Sequence, residues 1–408
     1  MATPAQRTNT WILDQWYDQA VAGTQGLEGL LPTIEFWGWG FNQQGQLGQN
    51  NQTEYSSPVQ IPGGSWDASR FQTAAPGNDN GQLNAGVQCG LMTKNDGTLW
   101  YIGGTDFNYG TSGLNNTNEY SSPTQVGTDA TWTRPVGTLA TLARKTDGTL
   151  WSWGRNDYGQ LAQNNQTNLS SPKQVGTDNT WNYVNSFGIV SVGTKTDGSA
   201  WFWGDNEKGC FGNNSEGEKR SSPIQIGSTG DWSNHNGFAL SRSVMSGAIK
   251  SNGTLWTWGQ NNNGQLGDNS TTSRSSPTQV GTDTSWKGFI WLSDEAAAGL
   301  KTDGTLWAWG GNASGKLGQN QPGPTQYSSP KQVGTKTDWS RIGNMGNNAV
   351  GAINSSKELW VFGGNGPGNL GLNDRANRSA PIQVPGTWYG VSNSYTGFGD
   401  NCFGAKLP

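Results

Sequence analysis

One phrase, Leu-Trp-x-Trp-Gly, or a variant of it, is repeated along the whole chain. Its copies begin with Trp37, Trp100, Trp151, Trp201, Trp256, Trp307 and Trp360. A second phrase, Ser-Ser-Pro-x-Gln-Val/Ile or close to it, places prolines at 58, 123, 172, 223, 277, 330 and 381, so successive copies lie 49 to 65 residues apart. A unit of about fifty residues that holds several short strands cannot bury its own apolar faces. Stacking such units around an axis can, and the expected architecture is therefore a β-propeller and not a helical solenoid.

Each unit reads as four strands. The first follows a lone tryptophan: Trp66, Trp132, Trp181, Trp232, Trp286, Trp339 or Trp388. The second is short and rich in small residues, as in Ala297–Lys301. An Asp-Gly or Asn-Gly pair follows in five copies, at 96–97, 147–148, 197–198, 252–253 and 303–304. It predicts a two-residue hairpin turn between strands two and three. The tryptophan phrase is strand three. Strand four starts near the proline, which suits an edge strand because no ladder donor is needed there.

Trp151 and Trp153 are two residues apart and so face the same side of their strand. Nineteen of the 22 tryptophans hold such repeat positions, and their expected role is to bind blade to blade, each burial contributing about 2–3 kcal/mol. The loop Asn-x-x-Gly-Gln-Leu-Gly, at 42–48 and 261–267, looks like a phosphate cradle. It recurs between two strands, however, and not between a strand and a helix, which argues against that use. The strand-four glutamine, present in all seven copies (Gln60, Gln125, Gln174, Gln225, Gln279, Gln332, Gln383), is expected to satisfy backbone groups.

The mean hydropathy of -0.68 comes from amides, hydroxyls and 62 glycines, while only 13% of residues are charged. A net charge of -4 disfavours nucleic acid and anionic membranes as partners. Three cysteines, Cys89, Cys210 and Cys402, lack the paired spacing of a disulfide framework or a zinc site. No run approaches the roughly 18 apolar residues of a membrane span, and Asp14 and Asp18 interrupt the only apolar stretch that could have been a signal peptide. We find no nucleophile–base pair, metal cluster or carboxylate pair outside the turns, so neither enzyme activity nor a cofactor is expected.

The first copy lacks a second strand, and the chain ends in Cys402-Phe403-Gly404-Ala405-Lys406, which matches strand two elsewhere. The C-terminal strand is expected to pair with the strand at Ile34–Trp39 and close the ring, hiding two free edges. The expected organisation is an N-terminal extension, residues 1–33, followed by a seven-bladed propeller of four-stranded blades, residues 34–408. In the extension, Thr10–Val21 has helical apolar spacing between a capping Thr10 and Gly23.

With seven units carrying Leu-Trp-x-Trp-Gly-x-Asn-x-x-Gly-Gln-Leu-Gly and Ser-Pro-x-Gln-Val or variants of them, residues 34–408 resemble the regulator-of-chromosome-condensation repeat propellers. Blade two departs at Ile102-Gly103-Gly104-Thr105, and blade seven lacks the Asp-Gly turn. Family members that exchange nucleotide on a small GTPase bind chromatin and carry a histidine in each repeat. This chain has only His235, so that function is not implied. Residues 1–33 resemble the N-terminal segment of repeat-propeller proteins of marine tailed bacteriophages. The resemblance implies a virion structural or fibre-type protein, made in the host cytoplasm and held to other virion proteins through Trp11, Leu13, Trp16 and Tyr17.

Its binding surface is expected on the rim that carries the one-to-two and three-to-four loops, because sites concentrate on loops held by rigid scaffolds. The candidate residues are Tyr55, Tyr120, Arg220, Arg274 and Tyr327 in three-to-four loops, with Arg70, Phe71, Asp79 and Asn80 in an insertion at Asp67–Gly86 read as a one-to-two loop. A host-surface receptor is one expected partner. The alternative reading is a soluble protein-binding propeller, inhibitor-like or exchange-factor-like.

Overall fold

A computed structural model describes residues 34–67, 84–85, 89–104, 109–137, 139–227, 232, 238–241, 244–321, 323, 325–346, 348–391 and 401–406. Among the described residues are seven antiparallel sheets of four strands each. Blade 3 shows the plan: an inner strand Trp132–Gly137, then Ala140–Lys145, Leu150–Gly154 and an outer strand Leu169–Gln174, each paired with the next. The first strands of successive blades touch one another around the axis and are buried, while the fourth strands are half-exposed. The tryptophan expected to precede strand one is its first paired residue. At Trp66 and Trp232 that pairing is an isolated bridge, to Lys94 and Lys250.

The ring closes as expected. The strand Asn401–Lys406 pairs along its full length with Glu35–Gly40, from Glu35 opposite Lys406 to Gly40 opposite Asn401. Blade 1 is thus built from Trp388–Val391, Asn401–Lys406, Glu35–Gly40 and Tyr55–Gln60. Two further bonds seal the same junction: the Trp39 Nε1 donates to the Asn369 carbonyl at 2.8 Å, and the Asn373 amide donates to the Ser56 carbonyl at 2.8 Å.

Each phrase now has a mechanical role. In the third strand the glycine that closes the tryptophan phrase adopts φ between 93° and 108°, and a bulge in its pairing with the outer strand falls at that point. A Cβ at Gly154 would lie 2.5 Å from the Leu139 carbonyl oxygen, so no side chain fits there. The loop glycine is constrained by the next blade: a Cβ at Gly264 would lie 2.6 Å from Ser328 Cα, the first serine of the Ser-Ser-Pro phrase. Five residues beyond it, Asn269 takes φ +61° and its amide donates to the Ser328 carbonyl at 2.8 Å. The same bond joins Asn50 to Ser121, Asn115 to Ser170, Asn164 to Ser221, Asn214 to Ser275 and Asn320 to Ser379.

The two indoles of the phrase divide the work. Trp39, Trp153, Trp203, Trp258 and Trp309 are fully buried between blades. Each donates its Nε1 to a loop carbonyl of the preceding blade: Asn369, Thr111, Gln160, Cys210 and Gln265 respectively. The first indole is only half-buried and stays within its own blade, Trp151 bonding Thr149 Oγ1 at 3.0 Å. The expected binding of blade to blade therefore belongs chiefly to the second indole.

The hairpin turn is one residue longer than expected. Gly148 donates to the Lys145 carbonyl and Lys145 to the Thr149 carbonyl, with only the glycine at positive φ. This is a type I turn with a glycine bulge. It leaves Asp147 free to accept from the Thr149 amide at 2.9 Å and from its hydroxyl at 2.7 Å. In blade 7 Lys357 takes the glycine's place at φ +62°. For the strand-four glutamines, expected to satisfy backbone groups, the bonds seen run to their own backbone carbonyls. Gln174 lies opposite Trp151, and the carbonyls of Gln60, Gln174 and Gln332 accept from the loop glutamines Gln49, Gln163 and Gln319. All three cysteines are buried.

Candidate functional site

The up-and-down course of each blade puts the one-to-two and three-to-four loops on one rim, here the loop rim. The two-to-three turns and the links between blades share the other, the turn rim. On the loop rim every complete three-to-four loop is pinned by one buried asparagine. Asn156 Oδ1 accepts from the Leu161 amide at 2.9 Å, and its Nδ2 donates to the carbonyls of Asn165 and Thr167. Asn42, Asn261 and Asn365 repeat the arrangement. The loop that resembled a phosphate cradle thus uses its amide to bond itself.

Tyr55, Tyr120, Arg220, Arg274 and Tyr327 fall at one equivalent position, opposite the glycine that closes the tryptophan phrase in five blades. Their polar tips turn back onto neighbouring groups. Asn51 Nδ2 donates to the Tyr55 hydroxyl at 3.0 Å, and Tyr120 exchanges bonds with Asn116 while meeting Tyr101 edge-on. Arg220 pairs with Glu218, and Arg274 with Asp268 at 3.1 Å. Tyr327 packs against two inter-blade clusters. What these residues offer a partner is ring face and stem more than free hydrogen-bonding groups.

The insertion sits elsewhere than expected. Trp66 pairs with Lys94, and Asn84–Ala85 pair with Leu91 and Gly90, positions that match Trp132 and Val136–Gly137 of blade 3. It therefore interrupts the inner strand of blade 2 instead of following it. Its residues Arg70, Phe71, Asp79 and Asn80 lie outside the described residues, as do Trp11, Leu13, Trp16 and Tyr17 and the helix expected at Thr10–Val21.

One sector of the loop rim differs from the rest. The Arg155 guanidinium lies 5.0 Å from the Tyr109 ring centroid and 5.5 Å from that of Tyr158, and the Lys219 ammonium lies 4.5 Å from Tyr158. Asp157 holds Arg155 through Nε at 2.8 Å. This row of alternating rings and cations crosses blades 2, 3 and 4 and is partly open to solvent. Where blades 2 and 3 place tyrosine before the loop glycine, blades 1, 5, 6 and 7 carry Gln44, Asn263, Ser314 and Pro367. That comparison was available in the sequence, but it shows only when the loops are aligned to each other.

The turn rim holds a feature that sequence reading missed altogether. A lysine at the end of strand two lies over two indoles of its blade, the one that opens strand one and the first of strand three: Lys145 is 3.9 Å from Trp151 and 4.7 Å from Trp132. Lys94, Lys195, Lys250, Lys301 and Lys406 repeat it. In blade 7 the position is Asn354, and Lys336 from the inter-blade link takes over, at 4.8 Å from Trp360 and 5.6 Å from Trp339. Asp129, Asp178 and Asp283 pair with Lys145, Lys195 and Lys301. Burial works to raise the carboxyls of Asp178 and Asp283, but hydrogen bonds from those lysines and from Thr180 and Ser285 outweigh it and hold both at about 2.

Fold and rims together define a closed, seven-bladed, four-stranded β-propeller that carries its sequence variation on loops. The sequence model of the regulator of chromosome condensation (RCC1) repeat matches three stretches of it, residues 35–80, 147–191 and 252–289. The human probable E3 ubiquitin-protein ligase HERC4 is 30% identical over 142 residues, 34% of this chain and only 13% of HERC4. Among solved structures, human WBSCR16 superposes with a TM-score of 0.72 at 19% identity, over 91% of this chain and 98% of that one. Prp20p of Saccharomyces cerevisiae, whose structure was described together with its binding to Gsp1p and histones, gives 0.74 at 15% identity, over 92% of each chain. At such identities the likeness speaks for the fold.

Proposed function

We propose that this protein is a protein-binding propeller, without enzyme activity, whose loop rim takes a partner protein at the sector spanning blades 2 to 4. The single observation that carries the reading is the row Tyr109, Arg155, Tyr158 and Lys219. It is the kind of aromatic and arginine surface that interfaces favour, on a scaffold stitched rigid by inter-blade bonds. Tyr55, Tyr120, Arg220, Arg274 and Tyr327 flank it at their shared ring position. The protein-binding record of Prp20p, at the level of fold, points the same way.

The test is photo-crosslinking in the cells that make the protein, with a photoreactive phenylalanine analogue at Tyr158 or at Asp147 on the opposite rim. The reading predicts one discrete adduct from position 158, lost in the Arg155→Ala variant, and none from position 147. Equal adducts from both rims, or none from 158, contradict it. We further propose that residues 1–33 form a separate anchoring segment. A place in a virion rests on that segment's resemblance alone, and peptide mass spectrometry of purified particles decides it.

A further inference from the structure

Three departures from the repeat meet at one point between blades 6 and 7. At the loop position where blades 1, 3 and 5 carry Gln46, Gln160 and Gln265, blade 6 carries Lys316, whose side chain is wholly buried. At the position just before strand two, blades 3, 4 and 5 carry the apolar residues Leu139, Ile189 and Val244. Blade 6 carries Glu295 there and blade 7 carries Asn348. The equivalence of these five is fixed by their backbones: the carbonyls accept from Arg155, Asp205, Gln260, Gly311 and Gly364 in turn. Lys316 Nζ lies 3.0 Å from Glu295 Oε2, 3.0 Å from Asn348 Oδ1 and 3.3 Å from Ser293 Oγ.

We propose that Lys316 and Asn348 join in an intramolecular isopeptide bond, with Glu295 carrying the protons. The reaction needs an amine lone pair close to an amide carbon, an acid–base group touching the amine, and an environment that disfavours the ammonium form. All three converge here. Burial pushes Lys316 below the usual lysine range, against the opposing pull of Glu295 and Asp294, the charged groups that face it. The neutral amine attacks Asn348 Cγ, and the carbonyl electron pair moves to Oδ1. Glu295 takes the proton that Lys316 loses and delivers it to Asn348 Nδ2. Collapse of the tetrahedral intermediate then expels that nitrogen as ammonia. One C–N bond forms, one C–N bond breaks and one ammonia leaves, with no oxidant and no cofactor. Glu295, about half exposed, connects the site to solvent and gives the ammonia a way out.

The product would be a covalent staple across the interface of blades 6 and 7, at a place where Gln265 of blade 5 reaches the next blade only by a hydrogen bond to the Asp294 carbonyl. It does not depend on the partner-binding reading. The experiment is the intact mass of the full chain, followed by peptide mapping of a protease digest. The expected result is a mass short by one ammonia and a branched peptide joining Lys316 to Asn348. Lys316→Gln, which installs the residue blades 1, 3 and 5 already use in this loop, should fold and regain the full mass. Asn348→Ala should do the same, and Glu295→Gln should leave the chain unlinked. Wild-type protein that keeps its full mass and yields both loops as separate peptides after prolonged incubation overturns the proposal. A Glu295→Gln protein that links as completely as wild type overturns the role given to Glu295.

Discussion

Two indoles two residues apart on the same strand face bear unequal loads. Trp203 is sealed between blades 3 and 4 with its N–H on the Gln160 carbonyl, whereas Trp201 lies half-open under the Lys195 ammonium. Replacing Trp203 by phenylalanine removes ring volume and leaves a buried carbonyl short of a partner. We expect a loss of about 1–3 kcal/mol. Trp201→Phe keeps a ring beneath the lysine and is expected to cost under about 1 kcal/mol. Urea denaturation at constant m-value compares the two. The carboxylates of the turn rim make a second prediction. Asp178 and Asp283 have folded pKa values of about 2, below the unfolded value of about 3.9. Their contribution is therefore complete above pH 4 and fades as pH falls toward 2. The Asp178→Asn/Asp283→Asn double variant should be less stable than wild type at neutral pH and lose less stability across that window, as followed by thermal denaturation against pH.

At the scale of the element, what was legible in the sequence is what the repeat itself enforces. The seven third strands, the seven prolines and the returning C-terminal strand are all located by self-alignment, because each blade must solve the same packing problem. Three things were not legible for physical reasons. Strand one has no signature beyond its tryptophan, so nothing in the letters showed that the insertion after Asp67 breaks the strand before it resumes at Asn84. The turn aspartates suggested a tight turn by type, but their bond to the following Thr or Ser favours the longer one. The rim residues Tyr55 and Arg274 were found as a set, yet their hydrogen bonds to Asn51 and Asp268 depend on loop geometry that no spacing reveals. The loop glycine gives the sharpest element-level prediction. Gly264→Ala places a Cβ at φ +73° against Ser328 and should cost roughly 1–3 kcal/mol. Gly281, in the link that follows strand four of blade 5 and with open space around it, should tolerate a side chain better despite its φ of +60°, and chemical denaturation of both variants compares them.

For the molecule as a whole, stability is expected to follow closure. Every blade leans on its neighbours through a buried indole or its substitute and an asparagine-to-serine bond, so an open ring would leave two such faces wet. Removing residues 401–408 takes away the strand that blade 1 borrows from the tail. The expected result is earlier and less cooperative unfolding than in the intact chain, with a larger radius in solution scattering. The most direct measurement of closure is a disulfide between head and tail. Glu35 and Lys406 lie opposite each other across the closing pair of strands. The Glu35→Cys/Lys406→Cys protein should oxidise within one chain and shift its mobility on a non-reducing gel, while Glu35→Cys/Ala405→Cys, one residue out of register, should not. A Glu35/Lys406 pair that stays reduced, or that links only between molecules, would contradict the closed ring.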